Sequence, residues 1–306
     1  MKYLLSLAVL ALPSLAWEGV FDYWASGANW NNTDCIFGQR QSPIDLPLSE
    51  TRLKMPTPAL TPSQRLLGWE PTAESRFRSL SLLSFDADYE EFVNVTVENV
   101  TNTIRMDINH IDGYFIVYED DRSTEVFKPL QFHFHSPSEH TFNGLHYDLE
   151  LHVYHISIDK LHKSVVAVFF DMQAGGNKSN PFIQSLFTSN DNSSIDGNES
   201  WTPVDVSLQD LYKKLDKKKM FHYEGSLTTP PCSQNVEWQI INDPQPISPE
   251  QLARFKNKWS NNKLFAGGRG NNRLTQPLFD RKIYFMGGSL LSVGLGIFLV
   301  ALSAVM

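Results

Sequence analysis

Six of the nine histidines fall between Gln131 and His155, in a run that opens QFHFHSPSEHT and closes ELHVYH. His133 and His135 stand two apart, alternating with Phe132 and Phe134, so on a β-strand both imidazoles share one face and both phenyl rings the other. A second alternating run, Asp148 to Tyr154, puts Glu150, His152 and Tyr154 on one face and Leu149, Leu151 and Val153 opposite. A pair of histidines at this spacing is more often hydrogen-bonded core than a ligand pair. A third histidine on an adjacent strand, with a carboxylate two residues before it to take its second N–H, changes that balance. Three neutral imidazoles, His133, His135 and His152, with a fourth position open are the ligand set of a zinc ion (Zn2+) that activates water.

Strands are needed to hold these residues, and the flanking sequence supplies them. From Ser79 to Tyr118 apolar and polar residues alternate in short runs broken by Asn, Asp and Gly, which predicts meandering antiparallel strands. The continuous apolar run Lys163–Phe170 reads as a central strand buried on both faces. Two stretches have helical spacing: Val204–Leu215, with Val204, Leu208, Leu211 and Leu215 on one stripe, and Pro249–Trp259, capped by Ser248. The fold class expected is mostly β with peripheral helices around a large, twisted, mainly antiparallel central sheet.

The ends of the chain differ from its middle. Residues 1–16 combine Lys2, an apolar run from Tyr3 to Leu12 and Pro13-Ser14-Leu15-Ala16, which is the pattern of a secretory signal peptide. From Ile283 to Met306 no charged residue occurs, and a membrane-spanning helix needs about 20 such positions. No basic segment follows the apolar stretch, as in a glycolipid-attachment signal, yet a properly spaced small-residue site falls only at Gly267–Asn272, inside the expected fold. Both a transmembrane helix and a glycolipid signal therefore stay open for residues 284–306, leaving 17–283 as one domain without repeats. The formal net charge of −8 and pI near 5.6 argue against nucleic acid as a partner. Asn-x-Ser/Thr sequons at Asn31, Asn94, Asn99, Asn177, Asn192 and Asn198 suit a glycosylated surface.

Five motifs occur in a fixed order: Gln41-Ser42-Pro43-Ile44, QFHFH with SEHT, ELH, Gly225-Ser226-Leu227-Thr228-Thr229-Pro230-Pro231-Cys232, and Asn271-Asn272-Arg273-Leu274-Thr275-Gln276-Pro277-Leu278. Together they resemble the α-class carbonic anhydrases over roughly Tyr23 to Ile283. The short His-Ser-Pro-Ser-Glu-His link is similar to the plant and bacterial versions. The resemblance implies that zinc-bound hydroxide attacks carbon dioxide to give bicarbonate and a proton. Thr228 would take a hydrogen bond from that hydroxide and give its own to Glu139. Gln131, Glu150 and the backbone carbonyl of Asn271 would hold His133, His152 and His135. Val165, Leu227, Trp238 and Thr229 would wall the substrate pocket, with Tyr23 and Tyr223 near the polar network.

Two cysteines, Cys35 and Cys232, leave either a disulfide or two thiols, and secreted members of the resembled family carry a bonded pair at matching places. The chain departs from the family pattern twice. Asn102 stands where fast members carry a proton-shuttling histidine, and asparagine cannot relay a proton near neutral pH. Tyr154 stands where valine is usual, so strand parity aims a tyrosine ring into the metal cavity unless a bulge turns it into the core; Ala167, on the next strand, is the small residue that could leave it room. The function expected is carbon dioxide hydration at the extracellular face of a membrane or after secretion, with carbon dioxide or bicarbonate as the small-molecule partner. A binding or adhesion module that kept the fold and lost turnover is the alternative. Retention of all three histidines with Glu139 and Thr228 favours the enzyme.

Overall fold

The computed structural model describes residues 21–47, 77–79, 85–89, 92–95, 97–100, 103–108, 113–118, 124–187, 204–260 and 267–285. In chain order the strands are β1 (Asp45–Leu46), β2 (Phe77–Ser79), β3 (Phe85–Tyr89), β4 (Phe92–Val95), β5 (Val97–Val100), β6 (Thr103–Asp107), β7 (Gly113–Tyr118), β8 (Thr124–His135), β9 (Thr141–Phe142), β10 (Leu145–His146), β11 (Leu149–Ser157), β12 (Lys163–Phe170), β13 (Val204–Val206), β14 (Met220–Ser226), β15 (Gln234–Gln245) and β16 (Ile283–Phe285). The helices are α1 (Thr33–Phe37), α2 (Pro181–Ser185), α3 (Leu208–Tyr212) and α4 (Pro249–Ser260). Eleven strands make one mixed sheet whose main path is β2-β16-β14-β15-β12-β11-β8-β6-β5, with β7 bridging β8 to β3. Its centre is the β8-β11-β12 trio, antiparallel throughout, and the parallel step from β12 to β15 follows.

Alternation along these strands divides the molecule into two apolar layers. Behind the sheet, Phe132, Phe134, Leu149, Leu151, Val153, Val166 and Val168 pack with residues of α2, α3 and α4, all fully or nearly fully buried. Each such side chain contributes roughly 1.5–3 kcal/mol on leaving water, which fixes the register of β8 and β11, because a slip of one residue would bring the phenyls to the opposite face. In front, Val165, Ala167, Phe169, Tyr223, Trp238 and Ile240 form a second cluster, with Tyr154 and Leu227 packed against its edge. The predicted central strand is β12, buried at seven of its eight positions.

One predicted helix is corrected. Val204–Leu215 is not a single helix: Val204–Val206 extends as β13 and pairs with β4, while α3 covers only Leu208–Tyr212. The β-branched valines find a strand partner, and the Ser207 hydroxyl accepts the Asp210 N–H at 3.1 Å, starting the helix one residue later. The apolar stripe itself is real, since Leu208, Leu211 and Leu215 are buried. The second helix, α4, begins with Ser248 capping the Gln251 N–H as expected. Cys35 and Cys232 form a disulfide across a sequence separation of 197, joining α1 to the turn after Thr228. Residues 1–16 and 286–306, with Asn102, Asn192 and Asn198, lie outside the described residues; among those described, no helix is long and apolar enough to cross a membrane.

Candidate metal centre

Three transverse rows of the sheet's front face build the centre. The register pairs His135 with Glu150; Arg105 with His133, His152 and then Ala167; and Asp107 with Gln131, Tyr154, Val165 and then Trp238. Directly paired residues on antiparallel strands share a face with Cβ atoms about 4.5–5.5 Å apart, so the three imidazoles meet by register alone. Their rings stand 4.6–5.2 Å apart between centroids.

One nitrogen of each ring is held from behind. Nδ1 of His133 lies 2.9 Å from Gln131 Oε1, Nδ1 of His135 lies 2.7 Å from the Asn271 carbonyl, and Nε2 of His152 lies 2.6 Å from Glu150 Oε1. As acceptors, these partners fix the proton on the nitrogen they touch and leave Nε2 of His133, Nε2 of His135 and Nδ1 of His152 as lone-pair donors. Ligand atoms of the three residues lie within 4.8 Å of one another. Burial pushes the imidazole of His133 well below its ordinary pKa and that of His135 down to about 3, so both rings stay neutral. His135 Nε2 is buried with no hydrogen-bond partner. A buried, neutral, unpaired donor beside two others is costly unless a cation occupies the common point. The residues fit a divalent ion with three nitrogen ligands.

Glu150 anchors the arrangement. Its Oε2 accepts the backbone N–H groups of Glu139 and His140 at 2.7 and 2.9 Å, and its Oε1 takes Nδ1 of His140 at 2.7 Å besides His152. Burial alone would raise its pKa, but the His140 and His152 imidazoles and these donors outweigh it and hold it well below the carboxylate range. His140 Nε2 continues to the Tyr223 hydroxyl at 2.8 Å, which lies 2.7 Å from Ser42 Oγ. A Cβ at Gly225 would collide with that Ser42 hydroxyl, so the glycine lets the N-terminal segment dock here.

Glu139 faces the same point from the loop after β8. Its Oε1 accepts the Arg273 N–H at 2.9 Å, and its Oε2 lies 3.5 Å from His135 Nε2 and 3.9 Å from His152 Nδ1. Burial pushes this carboxyl well up, Glu150 adds to that, and the Thr228 hydroxyl pulls it back. Oε2 is buried with no hydrogen-bond partner, and Thr228, itself buried, lies near enough to Glu139 to lower its pKa. Tyr23 is buried close enough to Glu139 to feel its charge.

The apolar side of the cavity is Val165, Trp238 and the edge residues Leu227 and Tyr154, with the Trp238 ring centroid 4.9 Å from that of His152. Thr229 is half-buried in the adjoining turn, its carbonyl accepting the Cys232 N–H at 2.8 Å. Tyr154 keeps the front face. The register shift after it places the extra residue, Leu130, on β8, so the ring is not turned into the core. Ala167 pairs with His152 and Tyr154 with Val165, so the small residue lies diagonal to the tyrosine rather than opposite. Asn31 and Asn177 are exposed, and the backbones of Asn94 and Asn99 lie in β4 and β5. His140, Arg273 and Arg105 carry no role in the sequence reading. His140 stands in the histidine-rich run, but its partner comes from across the sheet; Arg105 sits on the polar face of TIRMD, whose register to β8 no local pattern records.

A large mixed sheet thus holds three back-bonded imidazoles, a buried carboxyl and an apolar wall, a histidine-rich site that could hold a metal ion. The sequence model of the eukaryotic-type carbonic anhydrases matches residues 71–287. A carbonic anhydrase of Nostoc sp. is 31% identical over 256 residues, spanning 81% of this chain and 76% of that protein. Carbonic anhydrase 4 of Rattus norvegicus is 29% identical over 327 residues, spanning 97% and 96%. The α-carbonic anhydrase of Thermovibrio ammonificans, solved with the inhibitor sulfanilamide, superposes with a TM-score of 0.57 at 29% identity, covering 82% of this chain and 89% of that one. The chain belongs to the eukaryotic-type carbonic anhydrase family, and it is an enzyme of that family.

Proposed function

We propose that the chain is a zinc-dependent catalyst of the reversible conversion of carbon dioxide and water to bicarbonate and a proton. The observation that carries this reading is the convergence of Nε2 of His133, Nε2 of His135 and Nδ1 of His152, each on a ring whose other nitrogen is already bonded. Zinc held there supplies Lewis acidity that brings the pKa of a water to about 7. Thr228 would accept a hydrogen bond from the attacking oxygen and donate its own O–H to Glu139, an arrangement that orients a lone pair of that oxygen toward the carbon. The Arg273 N–H takes Oε1 of Glu139, which leaves Oε2 turned toward the metal position as the accepting oxygen. Val165, Leu227, Trp238 and Tyr154 offer the neutral, apolar substrate a dry wall.

Residues 1–16 act as a secretory signal and 284–306 as the membrane anchor, with the catalytic domain between them on the extracellular side; the Cys35–Cys232 disulfide is at home in an oxidising compartment. With asparagine at position 102, the released proton leaves to buffer rather than through that side chain.

Metal analysis with stopped-flow carbon dioxide hydration tests the reading. His152→Ala is expected to lose zinc and activity together, whereas Thr228→Ala keeps zinc and loses rate. Stoichiometric zinc retained in His152→Ala would overturn the ligand assignment.

A further inference from the structure

The wall opposite the apolar pocket carries a cation that neither the ligand set nor the hydration step uses. Arg105 on β6 is the direct register partner of the ligand His133, so its side chain leaves the same face of the sheet. Directly paired residues have Cβ atoms about 4.5–5.5 Å apart, which sets the base of the Arg105 side chain beside that of His133. Asp107, two residues on and paired with Gln131, lies 3.3 Å from Arg105 Nε. Both partners of that ion pair meet solvent, at 35% and 46% exposure, so the pair is screened and exchanging it costs little. On the other side Glu98 of β5 holds the register position across from Arg105.

The two carbon species of the proposed reaction differ in what this wall offers them. Carbon dioxide is neutral and linear and gains nothing from a guanidinium. Bicarbonate is a planar monoanion whose two oxygens match the fork of an arginine side chain. We infer that Arg105 forms an anion-docking subsite beside the metal position, one that holds bicarbonate, and other small carboxylate-like anions, against the polar wall of Arg105 and Gln131. The inference rests on the proposed carbon dioxide chemistry for the identity of the anion and on the β6–β8 register for its place.

Equilibrium ties kcat/KM for hydration to kcat/KM for dehydration, so a group that favours only the bound anion is read in a dissociation constant. The full chain loaded with cobalt(II) is titrated with bicarbonate at fixed pH and ionic strength, following visible absorption, alongside stopped-flow hydration of the zinc form. Arg105→Gln is expected to weaken bicarbonate about tenfold, the scale of one charge-assisted hydrogen bond in a half-exposed site. Asp107→Asn, which removes a competing carboxylate, should tighten it about threefold and decides the matter should Arg105→Gln fail to load metal. Binding within twofold of the parent in Arg105→Gln, unchanged or weaker binding in Asp107→Asn, or no bicarbonate response in the parent would overturn the subsite. A parent that loads metal but hydrates no carbon dioxide would instead remove the proposed function, and the titration would still read the subsite.

Discussion

Replacing Glu150 by glutamine changes one atom in the second layer of the centre and is expected to cost the metal. The carboxylate receives four donors, two backbone N–H groups on Oε2 and the imidazoles of His140 and His152 on Oε1. A glutamine has one accepting oxygen, and the backbone N–H groups cannot turn away, so the oxygen stays with them and the amide NH2 faces both rings. His152 must then accept at Nε2 and carry its proton on Nδ1, the nitrogen that points at the metal. Two hydrogen bonds to a charged acceptor, each worth about 1.5–3 kcal/mol, become bonds to a neutral donor, so a destabilisation of about 1–3 kcal/mol is expected without metal. With metal, the wrong tautomer and the lost basicity should weaken zinc by about 10–100-fold. Chelator competition measures the affinity, and 15N shifts of the His152 ring report the tautomer. The pH dependence has a sign. Because Glu150 is held below its ordinary pKa of 4.5, its stabilisation is complete above that value and is lost as pH falls through the folded value, a loss the metal-free glutamine variant should lack. Zinc affinity within threefold of the parent, with Nδ1 of His152 unprotonated, would refute the reasoning.

Tyr154→Val is expected to raise the rate of carbon dioxide hydration at low substrate with zinc occupancy unchanged, because the ring stands on the front face beside Val165; a rate equal to or below the parent, with the fold intact, would show that the ring does not obstruct the pocket. Replacing Cys35 and Cys232 by serine frees a loop of 197 residues, and chemical unfolding should report a loss of 2 to roughly 5 kcal/mol, the upper value being the loop-entropy ceiling; a change under 1 kcal/mol would mean that the packing around Arg273 holds the segment alone.

The chemistry was legible wherever it obeyed a local period. Alternation put His133, His135, His152 and Glu150 on the correct faces because a strand has a period of two and a buried core behind it. Register was not legible. That His152 lies opposite His133 rather than His135, that Arg105 neighbours the centre and that Ala167 sits diagonal to Tyr154 depend on where strands distant in sequence stop sliding, which is set by packing of the whole back layer. Val204–Val206 misled for the same reason: a valine-rich segment reads as the start of an amphipathic helix until β4 offers it an edge. The choice of ring nitrogen also lay beyond the sequence: Gln131 and Glu150 each precede their histidine by two residues on the same strand, yet the first holds Nδ1 of His133 and the second Nε2 of His152.

Arg273 ties the two ends of the domain to the centre. Its buried guanidinium holds Gln41 Oε1 and the carbonyls of Ser42 and Cys35, its own N–H holds Glu139, and two residues earlier the Asn271 carbonyl holds His135. Segments from both ends of the domain are thus clasped over a pocket whose histidines lie in its middle. Glu139 and the His135 ring draw their support from residues 271–273, far along the chain from β8 and β11. A loosening at either end of the domain is therefore felt at the three imidazoles, although neither end carries one of them.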